Sequence, residues 1–138
     1  MELTLENLLD ELKNKKVRLS HQRIKVLEYL VSYKYHPTVD QIYNGLKKDV
    51  PTLSKTTIYN TLDSFVDAGM LRVITIEDNE TRYDIDTGDH GHFKCEICKE
   101  IYDFKFDISS ITSDDLSDFK VTDKNVYYKG VCPKCLLI

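Results

Sequence analysis

The chain has 138 residues, enough for one ordinary domain or two small ones. Its composition is globular, 41% hydrophobic with five glycines and three prolines, and no unbroken apolar run approaches the length that spans a bilayer. A net charge of −4 leaves little non-specific hold on DNA, so any DNA binding must come from local positive potential and matched geometry.

The first stretch, MELTLENLLDELKNKK, spaces Leu5, Leu8, Leu9 and Leu12 at helical intervals among charges. It is an amphipathic helix without the apolar block of a secretory signal, which predicts a cytoplasmic protein. Residues 1–83 balance 12 basic against 12 acidic side chains, whereas 84–138 hold 7 against 11. Within the balanced part, Lys13, Lys15, Lys16, Arg18, Arg23 and Lys25 follow one another with no acid between them. Such a run is a solvated face unless a docking element lies beside it.

Ser20 is placed to cap a second helix whose Ile24, Leu27, Leu30 and Val31 face inward, and His36-Pro37 breaks it. Thr38, with Gln41 three residues on, has the spacing of a capping box opening a third helix that buries Val39, Ile42, Tyr43 and Leu46. Ser54 caps a fourth, SKTTIYNTLDSFVDAG, closed by Gly69, with Ile58, Leu62, Phe65 and Val66 inward. Its other face presents Lys55, Thr56, Tyr59 and Asn60 near the N-terminus, where side chains reach base edges and the helix end favours phosphate. Two β-like runs, LRVITI and TRYDI, follow around the turn EDNE. Helices followed by a hairpin predict a winged helix with the fourth helix as recognition helix. The basic run, Lys15, Arg18 and Arg23 above all, then reads as its DNA-backbone flank.

The second half alternates in the β manner in HFKC, EIYDFKF and NVYYKGVC, with DISSITSDDLSDF between them as one short helix. Its four cysteines form two C-x-x-C pairs, Cys95/Cys98 and Cys132/Cys135, separated by 33 residues. Four thiolates suit a tetrahedral structural zinc, and the rival readings are redox dithiols or disulfides. A redox motif belongs at a strand-to-helix junction, where neither pair is expected. The whole is an α/β chain: a winged-helix unit followed by a small zinc-pinned α/β unit.

His36, Asp84, Asp89, His90, His92 and Asp103 remain as nitrogen and oxygen donors outside the cysteine set. In an extended strand His90 and His92 point to one side. Donors of this kind without sulfur suit divalent iron, manganese or zinc, though each residue singly also has an ordinary structural explanation.

The strings HPTVDQIY, SKTTIYNTL, RYD, DHGHFKCEICKEIYDF and GVCPKC, taken together, resemble the ferric uptake regulator family of metal-dependent repressors, over nearly the whole chain from Ser20 to Cys135. Within that family the likeness is greatest to the peroxide-sensing branch. The resemblance implies a DNA-binding domain over residues 1–84 (wing about 70–85), a hinge over 85–89, and a dimerisation and metal-binding domain over 90–138. It implies a regulatory iron(II) or manganese(II) on His36, Asp84, His90, His92 and Asp103, and structural zinc on Cys95, Cys98, Cys132 and Cys135. It further implies a homodimer on double-stranded operator DNA, no enzymatic turnover, and hydrogen peroxide as the signal, read through oxidation of the ligand histidines. Iron-sensing members typically carry glutamate where Asp103 stands, and zinc-sensing members commonly use a cysteine that this chain does not spare. The stretch between the IYDF strand and the last cysteine pair is short for the family, and His21 stands where proline is frequent. The rivals are a repressor of the same family that responds to iron or zinc level, a structural two-zinc DNA-binding module, and a non-haem iron enzyme, which two histidines and a carboxylate would also suit.

Overall fold

Helices and a short hairpin build the first of two compact units, Met1–Thr87, in the computed structural model of the chain; Gly88–Ile138 form the second. The structure describes all residues except 1–3, 34–35, 77–79, 86–89, 108, 110, 123 and 138. Most of the EDNE turn, the greater part of the expected hinge, and Asp89 therefore lie outside the described residues.

In the first unit α1 (Leu5–Asn14) starts at Thr4, whose hydroxyl accepts from the Asn7 N–H, and buries Leu8 and Leu12. It closes with a left-handed residue, Lys16 at φ 60°. The Val17 N–H donates to the Leu12 carbonyl and that of Lys16 to Lys13, the paired bonds of a Schellman end. Ser20 caps α2 (His21–Ser32) as its sequence predicts. The inward face of α2 differs from expectation: Val26, Leu27 and Leu30 are buried, while Ile24 and Val31 are only partly covered. A period of 3.6 allows adjacent stripes, and contact with the neighbouring helices chose this one.

Thr38 and Gln41 complete a reciprocal capping box for α3 (Val39–Leu46), with Tyr43 half-buried rather than in the core. The ring of Tyr29 lies so close to Gly45 that a Cβ there would fall 2.4 Å from it. α4 (Lys55–Asp67) is capped by Ser54 and buries Ile58, Thr61, Leu62 and Phe65; Val66 is partly exposed. Gly69, at φ 76°, ends it with a second Schellman pair, Gly69 N–H to Val66 and Met70 N–H to Phe65. β1 (Arg72–Ile74) and β2 (Arg82–Asp84) pair antiparallel, Val73 opposite Tyr83, as the wing. One continuous apolar cluster, from Leu8 through Phe65 to Tyr83 and Ile85, holds these elements together.

The second unit is a three-stranded sheet in the order β4-β3-β5. β3 (His90–Cys95) pairs antiparallel with β4 (Ile101–Lys105) and parallel with β5 (Tyr127–Gly130). Chain order alone does not reveal that parallel pairing, because any connection of this length permits it. Where one short helix was expected in DISSITSDDLSDF, the described residues show only 3₁₀ geometry, at Ser109 and over Asp114–Leu116, the latter capped by Ser113. Serine and aspartate compete with helical backbone bonds for their own main chain, and no described residue of the stretch is buried to compensate. A four-residue helix not anticipated from sequence, α5 (Pro133–Leu136), follows β5.

Candidate functional site

Cys95 ends β3, and its N–H bonds the Glu100 carbonyl to close the tight turn that carries Cys98. Cys132 is the residue before α5, and Cys135 lies within that helix. The Cys132/Cys135 pair thus does occupy a strand-to-helix junction, contrary to the sequence expectation, so position alone cannot separate a redox motif from a metal knuckle. Convergence does. The four sulfurs lie within 4.8 Å of one another, with Cys98 Sγ 3.8 Å from Cys132 Sγ, and none forms a disulfide.

Cys95 Sγ accepts the N–H groups of Cys98 and Cys132, each at 3.4 Å. Burial acts to raise the Cys95 thiol, but these backbone donors and that of Ile97 outweigh it and hold the thiol down at about 6. Burial and the neighbouring thiols push Cys135 up to about 12. Four thiolates so close do not ionise together without a cation, and sulfur already accepting N–H bonds is shaped for one. The group fits a tetrahedral zinc.

Around this cluster lies a network that the cysteine spacing did not disclose. The Tyr102 hydroxyl donates to Glu100 Oε2 at 2.7 Å, and Lys134 Nζ lies 3.2 Å from the same oxygen. Glu100 belongs to the first knuckle and Lys134 to the second, so the ion pair joins them. The signal available was a basic residue inside one C-x-x-C and an acid just after the other.

The nitrogen and oxygen donors fall into two sets. In the first unit His36 and Asp84 are both buried, with His36 Nε2 3.5 Å from Asp84 Oδ2. His36 has φ 56°, a left-handed conformation that costs a non-glycine residue about 1 kcal/mol or more, and one that the residue before a proline rarely adopts. Arg82 holds it there by donating Nη1–H to the His36 carbonyl at 3.1 Å, and the Tyr83 N–H bonds the Pro37 carbonyl at 3.0 Å. β2 therefore carries Asp84 and also pins the loop that carries His36. No role for Arg82 is legible in the sequence. Its place before the Tyr83–Asp84 pair was the only hint.

In the second unit His90 and His92 project from the same face of β3, their ring centroids 4.7 Å apart. Asp103 sits directly opposite His92 across the β3–β4 ladder. Its two oxygens lie 3.5 Å from His92 Nε2 and 3.9 Å from His90 Nε2. These separations exceed a normal hydrogen bond. They are close to the roughly 3 Å spacing of neighbouring ligands that each stand about 2.1 Å from a shared divalent ion. Tyr127, in register with His92 on β5, places its ring 6.0 Å from that imidazole, a neighbour that sequence spacing does not disclose.

On α4 Lys55, Thr56, Tyr59 and Asn60 are all exposed. Lys55 Nζ pairs with Asp40 at 3.0 Å and lies 5.4 Å from the centre of the Tyr43 ring. Of the flanking cations, Arg18 is exposed. Arg23 and Lys15 are committed inside the unit: Arg23 to the Arg18 carbonyl and Ser64 Oγ, and Lys15 to Glu11 and the Ala68 carbonyl.

A winged helix followed by a small sheet with a four-cysteine cluster and a separate histidine–carboxylate set defines a DNA-binding regulator class. The chain belongs to the ferric uptake regulator family, whose model matches residues 14–129. It is 38% identical to the peroxide-responsive repressor PerR of Staphylococcus aureus strain USA300, over 98% of this chain and 93% of that protein. A solved structure of PerR from Streptococcus pyogenes, described in terms of peroxide sensing and gene regulation, is 34% identical and covers 95% of this chain and 92% of its own, with a TM-score of 0.56. The ferric uptake regulator of Helicobacter pylori shares the fold at 19% identity and TM-score 0.73, over 96% of this chain and 94% of that one.

Proposed function

We propose that the chain is a homodimeric transcriptional repressor of the cytoplasm, binding double-stranded operator DNA in a metal-dependent manner and responding to hydrogen peroxide. The observation that carries this reading is a donor set made only of imidazoles and carboxylates, with His90 and His92 converging on Asp103 and His36 fixed against Asp84. One divalent ion would take all five, and Cys95, Cys98, Cys132 and Cys135 would hold a structural zinc. The likeness to peroxide-responsive repressors supports it.

His36 and Asp84 belong to the unit with the recognition helix, and His90, His92 and Asp103 to the other. Donors drawn from both make the relation of the two units depend on metal occupancy. In a dimer that relation sets the spacing of the two recognition helices against their half-sites. Moving such an equilibrium from mostly open to mostly closed requires about 5 kcal/mol of preference for the closed state.

Bound iron(II) supplies one-electron chemistry with peroxide, whereas manganese(II) supplies charge and geometry with little such reactivity. The net change at the protein is oxidation of a ligand histidine: one peroxide oxygen enters the imidazole carbon–hydrogen bond and the other leaves as water. A thiolate among the ligands would be consumed first and would favour zinc; this set has none. Lys55, Thr56, Tyr59 and Asn60 would read the groove, with Arg18 on the flanking backbone.

The test loads the protein with iron(II) or manganese(II), adds micromolar peroxide with oxygen controlled, and follows DNA binding and peptide masses together. The expected result is one added oxygen on peptides holding His36 or His90/His92, in the iron sample only, with DNA binding lost. Intact histidines with metal-dependent DNA binding would instead establish a sensor of metal level. DNA affinity that survives removal of the exchangeable metal would point to the purely structural module.

A further inference from the structure

Lys15, Lys16, Arg18 and Arg23 line a groove of about 650 Å³ together with Ser64 and Asp67 of α4 and Ala68 at its end. By charge alone Lys15, Arg18 and Arg23 are equally phosphate contacts. Geometry separates them. The Arg23 guanidinium donates Nη1–H to the Arg18 carbonyl at 3.0 Å and Nη2–H to Ser64 Oγ at 3.1 Å. Lys15 gives its ammonium to the carbonyl of Ala68, the residue that closes α4, where a cation also meets the negative end of the helix. Lys15 and Arg18 are both exposed, but Lys15 is bonded through its ammonium, whereas Arg18 is held through its main-chain carbonyl.

Ser64 lies four residues beyond Asn60, so the two share a face of α4 and Arg23 grips the helix one turn past the residues placed on the groove. We infer that Arg23, seconded by Lys15, is a positioning residue: it fixes the Arg18 segment to the recognition helix so that both meet DNA in one register, and it does not neutralise a phosphate. This rests on the operator-binding reading above. The planar fork suits the task because it reaches a carbonyl and a hydroxyl at once, which a lysine ammonium on a flexible stem does not reproduce.

The experiment uses the full chain, zinc- and manganese(II)-loaded, and a duplex that the wild-type protein itself selects from a randomised library. Affinity is measured across salt concentrations for Arg18→Gln, Arg23→Gln, Arg23→Lys, Ser64→Ala and the Arg23→Gln/Ser64→Ala double variant. A phosphate contact, when removed, lowers the slope of log affinity against log salt by about one, and Arg18→Gln serves as that standard. For Arg23→Gln and Ser64→Ala we expect about tenfold weaker binding with one common slope, the fold-change of a coupled side-chain pair. Arg23→Lys fails to restore affinity, and the double variant binds no worse than Arg23→Gln alone. The inference is overturned if Arg23→Gln lowers the slope by about one, Arg23→Lys restores binding, and Ser64→Ala binds like wild type. Ser64→Ala removes one oxygen without charge, so it keeps the test decisive if an Arg23 variant folds poorly. A wild-type protein that selects no duplex sinks the repressor reading itself, a failure visible before any variant is made.

Discussion

Gly91 stands between His90 and His92 on β3, with Phe104 opposite it on β4. A Cβ added to Gly91 would lie 2.3, 2.6 and 2.9 Å from three atoms of the Phe104 ring. The nearest approach is roughly an ångström inside ordinary contact. The ring does not retreat freely, because it stacks on Tyr128 with centroids 5.1 Å apart and has Phe106 at 6.0 Å. Gly91→Ala therefore overpacks one face of β3 while the two imidazoles stand on the other.

Overpacking of this kind costs about 1–3 kcal/mol. A unit the size of Gly88–Ile138 draws no more than about 3–5 kcal/mol from its own core and depends on its metal for net stability, so the loss is a large fraction. We expect the sheet unit of the zinc-loaded protein to melt at least several degrees lower, and manganese(II) to bind about tenfold more weakly as the histidines shift. Phe104→Leu in the same chain, leaving Asp103 untouched, restores part of both. The readouts are thermal melting by circular dichroism and a manganese(II) titration. If Gly91→Ala melts and binds as wild type does, the ring yields at no cost and the contact does not hold the histidine strand in place.

Three further outcomes are expected. Lys16→Gly, at the left-handed end of α1, relieves about 1 kcal/mol of backbone strain after allowing for the greater freedom of glycine in the unfolded chain, and raises the denaturant midpoint of the helical unit without changing the transition slope; an unchanged or lower midpoint would refute the strain. Arg82→Gln frees the His36 carbonyl, costs about 1 kcal/mol of stability, and weakens manganese(II) binding by about tenfold although Arg82 is not a proposed ligand; isothermal titration measures it, and unchanged binding would show that the loop holds His36 without help. Removing zinc with a chelator under reducing conditions is expected to unfold the sheet unit while the helical unit keeps its own melting transition, seen as loss of hydrogen-exchange protection confined to residues 88–138.

Much of the helical unit is legible in its caps. Ser20, the Thr38/Gln41 box, Ser54 and Gly69 are short-range signals whose partners lie within a few residues, so tertiary context had little to override. The buried stripe of α2 was not legible, because Ile24 and Val26 are comparable apolar residues and only the neighbouring helices decide between them. In the sheet unit the H-x-H spacing places two imidazoles on one side, but the registry of Asp103 opposite His92 depends on the turn through Cys98 and could not be read from spacing. The commitments of Lys15 and Arg23 were equally hidden, since their acceptors are the Ala68 carbonyl and the Ser64 hydroxyl, more than forty positions along the chain. Charge pattern alone treats every cation of that run alike.

The central strand of the sheet has a consequence for how the protein is made. β3 needs β4, which follows within a few residues, and β5, which comes only after the long stretch to Tyr127. Cys95 and Cys98 likewise wait for Cys132 and Cys135. The helical unit, by contrast, is built from neighbours close in sequence and has its whole core by Ile85. During synthesis the half that carries the recognition helix is complete before the other half can close around metal. On the proposed function, a nascent or prematurely ended chain would be a DNA-reading surface without its control, and the late closure of the sheet unit around metal would be the step that turns a folded domain into a regulated one.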